Sequence, residues 1–175
     1  MAGHDPLTGL PNRTLLRERL EKKLALGNGN KRSALLCLDL DHFRHANDTL
    51  GHAVGDLLLK PVTDRLKTCL GESDSIARLG GDEFIVIQEE VQTKERAAAL
   101  AQRLVNAIGE TFVVEGQPVQ IGVSIGIAIA PDDGETADAV LKNADTALYK
   151  AKTDGRGTYC FFEPAMDAGI PKLTG

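Results

Sequence analysis

The feature that most constrains the fold is a pair of apolar runs separated only by Gly80-Gly81. One run lies near Ser75 to Leu79, and the other covers Asp82 to Gln88. Because glycine tolerates the positive φ angles of a two-residue turn, the pattern predicts a tight antiparallel hairpin. Phe84 to Ile87 is apolar at every position, which indicates that the second strand is covered on both faces.

Hydrophobic periodicity along the rest of the chain predicts further strands and helices. Ala34 to Leu40 is apolar almost throughout and predicts another strand covered on both faces. Phe112–Val114 and Val119–Ala130 predict a second hairpin that turns at Glu115–Pro118, and Thr158–Phe162 predicts a closing edge strand. Helices are expected near Asn12–Leu26, Gly55–Leu70, Thr93–Ile108 and Ala137–Lys152. The fold class is therefore an α/β (α+β) sandwich, with a central five-stranded, mixed, mostly antiparallel sheet flanked by helices.

Length and composition exclude several classes of protein. With 175 residues the chain predicts one domain, taken as residues 1–163, followed by a linker or tail over residues 164–175. Lysine and arginine number 20 against 25 acidic residues, and this net charge of −5 argues against binding to nucleic acid. The three cysteines form no framework, which favours a reducing cytoplasm. No run of 18 apolar residues occurs, so we expect no membrane contact by this domain.

Acidic residues cluster at the ends of two predicted strands. Asp39 and Asp41 close the first strand, and alternation of side chains places both on one face. Asp82 and Glu83 follow the glycine turn. If the two strands are neighbours, these carboxylates converge, and oxygen ligands of this kind suit Mg²⁺. Two alternatives remain open: a solvated hairpin with no site, and a helix cap made by Asp39 or Asp41.

These residues resemble those of the GGDEF domains, which are the diguanylate cyclases. The signature is Arg78-Leu79-Gly80-Gly81-Asp82-Glu83-Phe84, and four other ordered blocks extend the resemblance over nearly the whole chain. The blocks are Asp5 to Arg13, Asp39 to Phe43 with Asn47-Asp48 and Gly51 to Asp56, Ser124 to Ala128, and Ala144 to Arg156. The resemblance implies a fold similar to the palm of nucleotide cyclases and polymerases.

Members of this family condense two GTP molecules into cyclic di-GMP and release two pyrophosphates. The resemblance therefore implies GTP as substrate, two Mg²⁺ or Mn²⁺ ions per active site, and a second GGDEF domain as a transient homodimer partner. It matches Asp39, Asp82 and the Leu40 carbonyl to metal ligands, and Glu83 to a further ligand or to the base. It matches Gly80 and Gly81 to the triphosphate turn. The remaining matches are Asn47 and Asp56 as readers of guanine, and Lys152 and Arg156 as phosphate-binding cations.

Some residues depart from the family pattern. The product-inhibition motif R-x-x-D keeps Asp74 but has Gly71 in place of the arginine, so we expect a weak or absent feedback site. The asparagine that usually follows Gly155-Arg156 is Gly157. His42, His45 and His52 lie close in sequence, but no matching cysteine or histidine set supports a zinc site.

Three functions remain open at this stage. The first is an active diguanylate cyclase, and the second is a catalytically silent GTP-binding domain that regulates an attached EAL phosphodiesterase. The third is an interaction module that binds no nucleotide. The residues from Cys160 to Met166 resemble the linker that precedes an EAL domain, so we expect a module taken from a GGDEF–EAL tandem protein. We expect the domain to be cytoplasmic, and the sequence leaves open whether the full-length protein reaches a membrane.

Overall fold

A computed structural model describes residues 3–26 and 32–166, in five helices and seven strands. The helices are α1 (Arg13–Leu26), α2 (Phe43–Leu50), α3 (His52–Thr68), α4 (Lys94–Gly109) and α5 (Ala137–Thr153). The strands are β1 (Ser33–Asp41), β2 (Ser75–Gly80), β3 (Glu83–Gln88), β4 (Phe112–Val114), β5 (Gln117–Val119), β6 (Gly122–Ala130) and β7 (Tyr159–Phe161).

The central sheet has five strands in the order β2-β3-β1-β6-β7. All its pairings are antiparallel except that of β6 with the edge strand β7, which is parallel. The predicted mixed, mostly antiparallel sheet and the closing edge strand are thus confirmed. The apolar strands β1 and β3 lie inside the sheet, as their uninterrupted hydrophobic character requires.

Side-chain alternation in β1 divides the core between the two faces of the sheet. Leu36, Leu38 and Leu40 pack in the cluster that includes the inner faces of α3 and α4. Leu35 and Cys37 point to the opposite face, where α1 and α5 supply the apolar partners. Asp39 and Asp41 continue the second series, so the acidic end of β1 faces α5.

Gly126 permits the close approach of α5 to β6. A Cβ at this position would lie 2.1 Å from the Leu148 backbone nitrogen and 2.2 Å from the Ala144 carbonyl oxygen. Because the obstructing atoms are backbone, they cannot turn aside as a flexible side chain could. The absence of a side chain at residue 126 therefore allows the short distance between the sheet and α5, the helix that carries Lys152.

Three details differ from the sequence predictions. The hairpin partner of β4 is the short strand β5, in a separate two-stranded sheet, whereas β6 is a strand of the main sheet. The turn between β2 and β3 contains Gly81 and Asp82, one residue later than predicted. Helix α2 was not predicted, because its eight residues include histidine, asparagine, aspartate and threonine, which are poor helix formers.

The predicted C-terminal tail covers residues 164–175. Residues 167–175, most of the predicted tail, lie outside the described residues, so the division at residue 163 stays a prediction. Within the described part of the chain, no helix is long and apolar enough to cross a membrane.

Replacing Gly126 by alanine should destabilise the fold. Overpacking of a filled core costs roughly 1–3 kcal/mol, and backbone obstruction places this site at the upper end, about 3 kcal/mol. Urea denaturation measures the loss. The matched control is Gly109→Ala in α4, where an added Cβ meets no atom within 4 Å, and its stability should stay the same or rise slightly. Equal effects of the two substitutions would contradict the packing role of Gly126.

Candidate active site

Strand pairing brings the predicted carboxylates together at one end of the sheet. Asp39 of β1 lies directly opposite Glu83 of β3. The Leu40 N–H donates to the Asp82 carbonyl at 3.1 Å, which holds the turn against the end of β1. The Asp39 carboxylate is close enough to perturb the Asp82 carboxyl electrostatically. The predicted convergence of Asp39, Asp82 and Glu83 is therefore present, and we call these three residues the acid cluster.

The acid cluster has a strongly perturbed electrostatic environment. Burial, followed by the charge and hydrogen bond of Asp39, raises the pKa of Asp82 to about 6. Burial and the charges of Asp39 and Asp145 raise the pKa of Glu83 as well, although Arg13 and Lys152 oppose the shift. Carboxylates held this close favour either a shared proton or a nearby cation.

Asp39 contributes an open ligand position to the cluster. Its Oδ2 accepts an ion pair from Lys152, and the side chain of Asp39 is only 13% exposed. Its Oδ1 is buried and has no hydrogen-bond partner among the described residues. A buried carboxylate oxygen without a partner is costly, so this atom suits a divalent cation.

The Leu40 carbonyl lies on the same side of β1 as the acid cluster. In an extended strand the N–H and C=O of one residue point the same way, and the Leu40 N–H points at Asp82. In the described part of the chain, no group of three or more histidine, cysteine or acidic side chains is placed so that it could hold a metal ion by its side chains alone. The donors thus fit an ion that takes its remaining ligands from water and substrate.

The glycine turn owes its shape to backbone conformation. Gly80 has φ 146° and Gly81 has φ 49°, values that side chains with a Cβ rarely adopt. An added Cβ at either residue would meet nothing within 4 Å, so the surroundings leave space open beside the turn. The glycines are required by the turn itself.

Arg78 stabilises the turn by hydrogen bonds to its backbone, a role that the sequence did not reveal. Its guanidinium donates to the Gly81 carbonyl through Nε at 3.1 Å and through Nη2 at 2.8 Å. Its Nη1 pairs with Asp5 at 2.6 Å, and both side chains are nearly buried. Burial raises the pKa of Asp5, but hydrogen bonds from Thr8 and the charge of Arg78 outweigh it and hold that pKa below its ordinary value. The N-terminal loop therefore supports the turn through one buried ion pair.

Asp41 has a different role from Asp39. The carboxylate is 2% exposed and accepts from the Ser124 hydroxyl at 2.8 and 2.9 Å and from the Gly157 N–H at 2.9 Å. The predicted alternative, a cap on the following helix, is wrong for this residue, because α2 begins after His42 with no side-chain cap. We call Asp41, Ser124 and Gly157 the loop clamp.

The loop clamp holds the segment that carries Arg156. Helix α5 ends at Thr153, and the Arg156 N–H donates to the Ala151 carbonyl at 3.1 Å, closing the helix as a Schellman motif. Gly155, Arg156 and Gly157 all have positive φ. Gly157, which stands where the family usually has asparagine, therefore suits a left-handed backbone conformation that asparagine also tolerates. The Arg156 side chain lies 3.5 Å from Asp41 and remains half exposed.

Lys152 and Arg156 line a small cavity beside the acid cluster. Its volume is about 280 Å³, and its other lining residues include Asp145 and Tyr149. Burial raises the pKa of Asp145, against the opposing charges of Lys152 and Arg13. The two cations predicted from the sequence are therefore on the same side of the sheet as the acid cluster, and both line the same cavity.

The predicted base-reading pair lies on the helices that follow β1. Asn47 is half-buried in α2 and packs against Gly55 of α3, next to the exposed Asp56. The structure records no direct contact between this pair and the acid cluster among the described residues. Both nevertheless follow the same end of β1, since α2 begins two residues after Asp41.

Comparison with known proteins decides the family. The family described as diguanylate cyclase, GGDEF domain, matches residues 2–158. The chain belongs to the GGDEF family. The bifunctional diguanylate cyclase/cyclic di-GMP phosphodiesterase MucR of Pseudomonas aeruginosa is 46% identical over 169 residues, which are 96% of this chain and 24% of MucR. The cyclic di-GMP phosphodiesterase NbdA of the same organism is 42% identical over 166 residues, or 93% of this chain and 21% of NbdA.

Solved structures agree with this assignment. The GGDEF domain of TpbB (YfiN) from Pseudomonas aeruginosa superimposes with a TM-score of 0.90 at 36% identity, covering 94% of this chain and 97% of that one. The palm-like GGDEF fold is therefore confirmed. The chain spans about a quarter or less of the length of MucR and NbdA.

Several further residues of this GGDEF domain have defined surroundings in the structure. Asp74 accepts from the Gly71 N–H at 2.8 Å, and Gly71 leaves the motif without its arginine, so the weak product site stays a prediction. His42 and His45 are exposed, and the described residues include no zinc-type cluster. Cys37 is a core residue, and burial raises the pKa of its thiol. Asn12 accepts from the Leu15 N–H at 3.1 Å, which confirms that it starts α1.

The GGDEF domain should lose stability as pH rises when divalent metal is absent. Because the folded pKa of Asp82 is about 6, above the ordinary value near 4, the folded state favours the protonated carboxyl. That contribution is complete below about pH 4 and is lost as pH rises through about 6. In Asp82→Asn it should disappear. Urea midpoints in EDTA between pH 4 and 7.5 measure the difference, and identical slopes for both proteins would contradict it.

Removing Asp41 should release the loop that carries Arg156. In Asp41→Ala the Gly157 N–H loses a charged acceptor, worth roughly 1.5–3 kcal/mol, so its amide hydrogen should exchange at least about tenfold faster. NMR-detected hydrogen exchange measures the rate. Asp39→Ala is the matched control, since Asp39 lies on the same face of β1 but contacts Lys152 instead. Unchanged Gly157 exchange in Asp41→Ala would show that the clamp carries little energy.

Proposed function

We propose that this GGDEF domain is a diguanylate cyclase that condenses two GTP molecules into cyclic di-GMP and two pyrophosphates. The observation that carries the proposal is the acid cluster, with its unpartnered Asp39 oxygen, beside Lys152 and Arg156. Names of relatives support it, since both MucR and TpbB are called diguanylate cyclases.

Each half-reaction joins two nucleotides. The 3′-hydroxyl of one GTP attacks the α-phosphorus of the other, a new P–O bond forms, and the bond to pyrophosphate breaks. Repeating the step in the opposite direction closes the ring. Each domain would hold one GTP at its acid cluster, so the proposal requires two GGDEF domains facing each other as a transient homodimer.

The residues of this chain would contribute to the reaction by binding metal ions, by binding phosphates and by positioning the nucleotide. Asp39, Asp82 and the Leu40 carbonyl would hold Mg²⁺ or Mn²⁺, two ions per site, with Glu83 as a further ligand or as the acceptor of the hydroxyl proton. When bound, the ions supply positive charge at the attacking and leaving oxygens. Lys152 and Arg156 would bind the terminal phosphates. Gly80 and Gly81 leave room for the triphosphate at the turn.

Asn47 and Asp56 would select guanine. A carboxylate accepts from guanine N1–H and from the exocyclic amine together, a pair of donors that adenine does not present. A site that depends on such hydrogen bonds rejects the wrong base strongly, because its polar groups would be left unpaired.

A second function is favoured by one specific observation, the 42% identity to NbdA, which is named a phosphodiesterase. In that case this domain would bind GTP without turnover and regulate an attached EAL domain. The same residues would bind nucleotide under both proposals. GTP and cyclic di-GMP are cytoplasmic, so both proposed functions place the domain in the cytoplasm.

Incubation of the chain with GTP and Mg²⁺ at high protein concentration should yield cyclic di-GMP and pyrophosphate in a one-to-two ratio. Glu83→Ala should reduce turnover by about 100-fold or more, the usual contribution of a positioned proton acceptor or metal ligand. Glu95→Ala, on the first turn of α4 beyond the far end of β3, is the matched control and should retain activity.

The other outcomes separate the candidate functions. GTP binding without product, even after two domains are joined covalently, would establish the regulatory function. Absence of GTP binding would leave only an interaction module. Normal turnover by Glu83→Ala would overturn the role given to that residue.

A further inference from the structure

Gly55 lies inside α3, where a glycine is normally unfavourable. A glycine within a helix costs about 1 kcal/mol relative to alanine. Gly55 is buried, and its φ lies outside the left-handed range in which glycine is favoured. The backbone conformation therefore does not explain the choice of residue, so the explanation must lie in the space around it.

The side chain of Asn47 fills that space. A Cβ on residue 55 would lie 1.4 Å from Asn47 Oδ1, 2.5 Å from its Cγ and 3.2 Å from its Nδ2. The first two distances are shorter than any real contact of a Cβ. Alanine at residue 55 would thus push the Asn47 amide out of its present position.

The backbone fixes the approach between the two residues. The Gly51 N–H donates to the Asn47 carbonyl at 2.8 Å, and Gly51 itself has φ 96°, so α2 and α3 meet at a sharp corner. Gly55 then donates its N–H to the Gly51 carbonyl at 3.2 Å. A shift of either helix would strain these bonds, whereas the atoms in the way of an added Cβ all belong to the Asn47 side chain. An added methyl group would therefore displace the amide group of Asn47.

No hydrogen bond holds the Asn47 amide oxygen. Asn47 Oδ1 is buried and has no hydrogen-bond partner among the described residues. The close approach to Gly55 is therefore the recorded contact that limits where the amide oxygen can lie. The next residue, Asp56, is exposed, so the two residues assigned to guanine recognition flank Gly55, one packed against it in space and one adjacent to it in sequence.

We propose that Gly55 is a specificity-determining positioning residue, which sets the Asn47 amide so that the site distinguishes guanine from adenine. The inference rests on the proposed binding of GTP, but it does not require catalysis. Gly55 would not touch the nucleotide. It would act through Asn47, because a residue without a side chain leaves space for the Asn47 amide.

The test measures binding of 3′-deoxy-GTP and 3′-deoxy-ATP, which lack the attacking hydroxyl and cannot react. By calorimetry with Mg²⁺ present, Gly55→Ala should bind 3′-deoxy-GTP about tenfold more weakly, a change equivalent to one lost hydrogen bond. Affinity for 3′-deoxy-ATP and for inorganic tripolyphosphate should stay unchanged, since the phosphate-binding residues are intact. Urea denaturation should confirm that the variant folds.

Two controls separate the proposed role from a general packing effect. In an Asn47→Ala background, Gly55→Ala should cause no further loss of 3′-deoxy-GTP affinity, because the amide to be positioned is gone. Gly109→Ala adds a methyl group to another helix with open space around it and should bind both nucleotides as the parent does. The double variant also relieves the clash, so it folds even where Gly55→Ala alone does not.

Either of two results would overturn the inference. One is unchanged 3′-deoxy-GTP affinity in Gly55→Ala, and the other is an equal loss in the presence and absence of Asn47. Failure of the proposed function gives a different pattern: the unmodified domain would bind 3′-deoxy-GTP but would make no cyclic di-GMP when it is incubated with GTP and Mg²⁺. If the unmodified domain binds no guanine nucleotide, both the inference and the proposed function are wrong.

Discussion

The register of β1 between β3 and β6 is the constraint on which the candidate site depends. The register places Asp39 opposite both Glu83 and Ser124, and Asp41 opposite Gly122. A slip of one residue would exchange the two faces of β1. Both carboxylates would then enter the apolar layer around Leu36 and Leu38, with no cation nearby. Because both faces of β1 are buried, such a slip would expose or misplace side chains on each of them, and the native register is strongly favoured.

Elements with a clear hydrophobic pattern could be predicted from the sequence, and elements held by tertiary contacts could not. The apolar strands β1 and β3 and the amphipathic helix α5 have patterns that specify both their type and their buried face. Helix α2 has no such pattern, and it is stabilised by packing of Phe43 and Ala46 into the core. The hairpin of β4 and β5 was misassigned because Pro118 resembled part of a turn, whereas it pairs with Val113 at an edge, where proline is tolerated.

The same distinction applies to the candidate site. Convergence of the acid cluster followed from strand ends alone, provided that two apolar strands were neighbours. The contacts that hold the site in place join residues far apart in the chain: Arg78 with Asp5, and Asp41 with Ser124 and Gly157. No local spacing or propensity signals such a pair. Arg78 was visible only as part of a signature, and Asp41 only as a member of an alternating face.

Charge pairing between β1 and the end of α5 is the feature of the site that would let it accept the proposed polyphosphate ligand. Lys152 pairs with Asp39 and Arg156 lies against Asp41, so each cation already has a carboxylate partner. A nucleotide brought in with divalent metal would give Asp39 a new cation and Lys152 a new anion at once. Neither group would be left buried and unpaired, which is the costly state for a charge away from water. Asp41 differs, because its hydrogen bonds to Ser124 and Gly157 keep it satisfied if Arg156 turns towards a phosphate. The net charge of −5 therefore does not oppose a nucleotide ligand, since the local pairing at this end of the sheet decides what can bind there.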